Sequence, residues 1–228
     1  MARGRGSFDD AHALSSEGRR RRARYAWLWV FGIALGWFET AVVVDLRALY
    51  YPDGFRFPLA PFSVRMALVE IGREVASILL IAAAARLSAR RFLDRFAAFL
   101  LVFGIWDLVY YAGLKIALGW PASFSTIDVL FLIPVVWTGP VWAPCMIAAT
   151  LAVAGSRLYL APRRRAYRGR DWAVEVIAGL LVILSFTKGW REVAAGGGPP
   201  AFPAALFLAG WALGLLGFAA AERRVRAP

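Results

Sequence analysis

One histidine and one cysteine are all that 228 residues supply. Cys145, alone, cannot form an intramolecular disulfide, a CxxC redox pair or a thiolate metal site within the chain. His12 lies in the polar amino-terminal stretch, so the apolar segments hold no imidazole. His-ligated haem, copper or zinc finds no ligands there, and no metal centre is expected. Acids are also few, 15 Asp and Glu against 27 Lys and Arg. The chain has no Gly-rich nucleotide loop, no nucleophile-plus-base pair, no aspartate-rich repeat and no internal duplication.

What the chain has in excess is hydrophobic length, with 60% of residues apolar. Runs long enough to cross a hydrocarbon core of about 30 Å recur along it. The expected fold is an all-α integral membrane protein with six transmembrane helices, at 25–47, 63–86, 96–119, 127–155, 171–188 and 203–221. Residues 1–24 are polar and Gly/Ser/Arg-rich and read as a disordered basic cytoplasmic tail. Residues 25–222 form the six-helix domain and 223–228 a short basic cytoplasmic end. After "RRRRAR" the apolar run continues to Val44 without a small-residue cleavage site, so the first span is expected to be a retained signal-anchor.

The net charge of +12 is distributed as topology requires, not as a nucleic-acid surface would be. Arg3, Arg5, Arg19, Arg20, Arg21, Arg22 and Arg24 precede the first span. Arg86, Arg90, Arg91 and Arg95 lie around the second connection, and Arg157, Arg163, Arg164, Arg165, Arg168 and Arg170 around the fourth. Arg223, Arg224 and Arg226 follow the last span. Positive loops stay in the cytoplasm, so both termini are expected inside and the location is the inner membrane. Gly32 and Gly36 on the first span, and Gly210, Gly214 and Gly217 on the sixth, form small-residue stripes for close helix packing. Besides the bilayer, partner membrane subunits or further copies of the chain could use such stripes; no nucleic-acid partner is expected.

The segment "LVEIGREVASILL" places Glu70, Arg73 and Glu74 on neighbouring parts of one helical face. Each charge near a bilayer centre costs about 2.5–3.5 kcal/mol on insertion scales, so the three require burial, pairing or water. In "WDLVYYAGLK", Asp107 shares a face with Tyr110 and Tyr111, and Lys115 stands one turn further on. Glu39 lies on the glycine stripe of the first span, and Asp128 opens the fourth. Glu39, Glu70, Arg73, Glu74, Asp107, Tyr111, Lys115 and Asp128 are therefore the candidate ligand- or proton-binding residues, between mid-membrane and the extracytoplasmic face. Five carboxyl groups face two bases, and unless Arg65, Lys188 or Arg191 of the outer segments reach in, protons or a cation must balance the excess. Glu175, in the first turns of the fifth helix, is accounted for by the helix dipole and the interface.

Pro134, Pro140 and Pro144 fall in "FLIPVVWTGPVWAP", so the fourth helix is expected to be kinked or broken beside the acidic pocket. Three functions fit. One is transport of a proton, cation or small charged solute. Another is intramembrane catalysis on a lipid-linked or extracytoplasmic substrate, and the third is a non-catalytic role as a subunit or assembly factor of a membrane complex. Ion pairs that only lock helices together would account for the same charges.

Overall fold

A computed structural model describes residues 3–61, 63–161, 167–199 and 201–226, with the side chains of 3–16, 225 and 226 outside that description. His12, Arg3, Arg5, Arg163, Arg164, Arg165 and Arg226 accordingly lie outside the described side chains. Six helices of 19 to 48 residues make the body: α1 (Arg3–Tyr50), α2 (Val64–Ser88), α3 (Phe92–Leu118), α4 (Trp142–Leu160), α5 (Gly169–Thr187) and, after the five-residue α6 (Trp190–Ala194), α7 (Ala204–Arg226). Five of the six are long and apolar enough to cross a membrane. The exception is α2, where Glu70, Arg73 and Glu74 interrupt the apolar run. The architecture is membrane-like, with charges buried among apolar helices.

The polar segment read as a disordered tail is instead helical from Arg3 onward, continuous with the first span. Its basic side chains find partners at the ends of other helices. The Arg21 guanidinium pairs with Asp94 at 2.8 Å and donates to the Tyr159 carbonyl, and Arg24 donates to the Ser88 carbonyl at 3.0 Å. Ser88 and Tyr159 lie in the last turns of α2 and α4, where carbonyls lack intrahelical donors and the helix dipole favours cations.

α3 is the hub, packed along α1 on one side and α4 on the other. Leu28, Leu35, Ile81, Leu101, Val102, Ile105 and Ala152 form the main apolar core between α1, α2, α3 and α4. The glycine stripe of α1 meets α3 as its spacing predicts: a Cβ on Gly36 would stand 2.7 Å from the Trp106 carbonyl oxygen and from Val109 Cβ. On α7, a Cβ on Gly210 would stand 2.9 Å from Leu181 Cβ of α5 and one on Gly217 2.7 Å from Val174 Cγ1. The α5/α7 pair touches the rest through side chains at three levels: Trp172 on Phe92 and Phe96, Trp211 Nε1 donating to Thr150 Oγ1 at 3.0 Å, and Trp137 and Trp142 on Phe186 and Phe207.

The fourth span corrects the sequence reading. Residues 127–140 do not form a kinked or broken helix but a two-stranded antiparallel hairpin, β1 (Ile127–Phe131) and β2 (Trp137–Pro140), before α4 begins at Trp142. Asp128 stands opposite Gly139 and Val129 opposite Thr138. The β-branched content of "IDVLFLIPVVWT" favours strand. Proline also fits a ribbon better than a helix interior: Pro134 sits in the turn and Pro140 closes a strand whose outer edge needs no donor. Only Pro144 is helical, in the first turn of α4 where its missing N–H is an orphan in any case. The unbroken apolar character of 127–155 hides this, because a short buried strand and a piece of buried helix look alike by hydropathy.

Candidate functional site

The hairpin enters the bundle from the end where α1 stops. Near its base Asp128 meets Arg47 and Tyr111; at its tip Phe131 packs on Trp106, close to the middle of α3. Backbone polar groups exposed at that level need protein partners. Glu74 supplies one: both its carboxylate oxygens accept from the Leu132 N–H at 3.0 Å. Glu74 is thus occupied in holding the tip of the hairpin.

The other charges sort into two buried groups. Arg73 pairs with Glu70 one turn earlier on α2 at 2.8 Å and with Glu39 of α1, and Glu39 also accepts from Ser77 Oγ at 3.3 Å. Asp128, 1% exposed, accepts from Arg47 at 3.0 Å and from the Tyr111 hydroxyl at 3.2 Å. The Arg47 guanidinium lies 3.6 Å from the centroid of Trp120 and 4.7 Å from that of Phe55, an aromatic clamp that fixes it over the hairpin base.

Seven of the eight predicted residues, Glu39, Glu70, Arg73, Glu74, Asp107, Tyr111 and Asp128, line one cavity of about 1530 Å³. Lys115 does not line it. Its side chain is exposed and its ammonium donates to the carbonyls of Gly119 and Pro121, both at 2.9 Å. Lysine in the last turn of a helix that ends at a left-handed Gly119 is drawn to unpaired carbonyls, a pull that outweighs a distant carboxylate. Asp107 is left with no base.

Arg47 takes the place of Lys115, and sequence reasoning passed over it. The signal was present, since Arg47 follows Thr40 by seven residues and Val43 by four, on the continuation of the stripe that holds Gly32 and Gly36. Glu175 was likewise set aside, yet it lines the same cavity. Its carboxylate lies where Gly214 and Gly217 of α7 leave room, 3.4 and 3.2 Å from the Cβ each would carry.

Asp107 differs from its neighbours. It faces the cavity and accepts no hydrogen bond and no ion pair from any described residue. It continues a stripe on α3 of Leu93, Phe96, Leu100 and Phe103, spaced three and four apart and all lining the cavity. An apolar wall thus ends on a free carboxyl group, with Tyr110 one turn beyond. No three His, Cys, Asp or Glu side chains among the described residues converge as a metal-ligand set. Comparison with protein families, with curated proteins and with solved structures finds no match to this chain.

Proposed function

We propose that the chain crosses the inner membrane six times with both termini in the cytoplasm, and that its acidic chamber takes up a proton, a cation or a small charged solute from the extracytoplasmic side. The side assignment follows from the arginine asymmetry. In this orientation α2 also crosses, as the second span, its charges tolerated because Glu70 and Arg73 are paired inside the bundle and Glu74 caps the hairpin. Reporter domains fused after residues 57 and 196 are expected to be active outside the cytoplasm, and one fused after residue 90 inside it. The opposite pattern overturns the orientation.

The observation that supports handling of a charged species is the solitary Asp107. Structural ion pairs explain Glu39, Glu70 and Asp128, and a hairpin cap explains Glu74. They leave Asp107 unexplained, and an ionisable group in a span with no structural partner marks a ligand or proton site. In proteoliposomes holding a trapped pH dye, an imposed potassium–valinomycin potential is expected to drive proton or cation-coupled flux. Asp107→Asn abolishes that flux, whereas Glu74→Gln keeps most of it because an amide oxygen still accepts from Leu132. Equal flux in wild type and Asp107→Asn rejects the reading.

A further inference from the structure

We propose that the chamber's ligand is a lipophilic organic cation: a positively charged nitrogen or onium centre on an apolar, ring-bearing body. The inference deepens the reading that the chamber takes a charged species and rests on it.

Eight carboxyl groups line the cavity, and their partners divide them. Glu39 and Glu70 face Arg73, Glu74 holds Leu132 and Asp128 holds Arg47. Towards the arginine-rich end, Asp171 pairs with Arg224 and Glu222 accepts from the Tyr167 hydroxyl. Asp107 and Glu175 alone accept nothing from a described residue. Trp172 packs against Phe96, and Glu175 is one turn above Trp172. Asp107 is eleven residues above Phe96, so the two free carboxyls are separated by roughly 12 Å along the bundle at 1.5 Å per residue.

Between them the wall is apolar. Leu100 and Phe103 of α3, Leu151 of α4, and Val182 and Trp211 of the α5/α7 pair face the cavity. Near Asp107 an aromatic row runs from Phe103 to Trp106 to Phe131, with ring centroids 5.2 and 6.2 Å apart. A hydrated inorganic cation gains nothing from such a wall, and no ligand set among the described residues converges to replace its water. Arg157 and Arg223, which also line the cavity, are exposed at its arginine-rich end, so an anionic amphiphile seated along the apolar wall would still bring its charge against Asp107 or Glu175. A lipophilic cation matches both features: its body covers apolar surface, its charge meets Asp107 or Glu175, and aromatic faces attract it. The cavity volume of about 1530 Å³ exceeds what a drug-sized molecule requires.

The test uses the full chain in non-ionic detergent with radiolabelled tetraphenylphosphonium in equilibrium dialysis. Tetraphenylborate, of the same shape and opposite charge, is the comparator. Saturable binding of the phosphonium is expected, with none of the borate. Asp107→Asn is expected to weaken it about tenfold or more, the loss that follows removal of one close charge partner. Glu175→Gln, at the other end of the cavity, gives a smaller loss and serves as the second variant should Asp107→Asn fail to fold. Equal affinity for the borate, no saturable phosphonium binding, or unchanged affinity in both variants overturns the proposal. Asp107-dependent proton flux without phosphonium binding overturns this inference alone; absence of both overturns the underlying reading as well.

Discussion

Arg73→Met is expected to destabilise the protein by about 3–5 kcal/mol, the cost of stranding a buried charge by removing its partner. The guanidinium is shared by Glu70 of its own helix and Glu39 of α1, and those carboxylates are 5% and 6% exposed. Removing it leaves two acids facing each other inside an apolar bundle. Arg73→Lys recovers only part of the loss, because an ammonium cannot bridge two carboxylates in the forked geometry of a guanidinium. The decisive comparison is the neutral triple variant, Arg73→Met with Glu39→Gln and Glu70→Gln. It should regain most of the stability of the native protein, since the groups that demanded a counter-charge are gone. Thermal unfolding in detergent, followed by tryptophan fluorescence, reads all three. An Arg73→Met protein as stable as wild type would mean that the triad does not hold α1 to α2.

How much of this was legible beforehand depends on what each residue's neighbours in sequence could say. Apart from the fourth, the helix positions followed from apolar length, and the glycine spacing at 32 and 36 turned that face of α1 toward another helix. The gathering of Glu39, Glu70, Arg73, Glu74, Asp107 and Asp128 along one cavity followed from the cost of placing each elsewhere. Pairing did not. Whether a carboxylate meets an arginine, a backbone N–H or nothing is decided between elements distant in the chain, as when Glu74 reaches Leu132 across 58 positions. Lys115 stands apart from the cavity because a helix end holds its ammonium on carbonyls four and six residues away, a local bond that outbids a long-range one. The hairpin was hidden for another reason: both its faces are covered, so the alternation that betrays a strand is absent from 127–140. Asp107 carries the proposed function because Lys115, the base nearest to it along α3, bonds to carbonyls instead.

Gly155→Ala and Gly72→Ala are the same chemical change in two helices, and opposite outcomes are expected. A Cβ on Gly155 would lie 2.6 Å from the Leu101 nitrogen and 2.7 Å from the Ala97 carbonyl oxygen. Both are backbone atoms of α3, so no side-chain rotation relieves the clash, and α3 and α4 must separate. Ala148, Ala152 and Gly155 face Ala97, Leu101 and Gly104 across this seam at three- and four-residue spacing, and a Cβ on Gly104 would strike the Ala148 carbonyl. In lipid such close packing, not hydrophobic burial, is what holds two helices together. Overpacking costs about 1–3 kcal/mol where side chains can adjust, and backbone contacts on both sides place Gly155→Ala at or above the upper end. Gly72 has open space around its would-be Cβ. There alanine is expected to stabilise α2 by about 0.5–1 kcal/mol, the gain from removing backbone freedom in the unfolded chain. The unfolding temperature should fall sharply for the first variant and rise slightly for the second. Because α3 and α4 also wall the chamber, Gly155→Ala should abolish the proposed flux along with stability, whereas Gly72→Ala should leave it intact. If the two variants melt together, the close approach of α3 and α4 is not what holds the chamber walls.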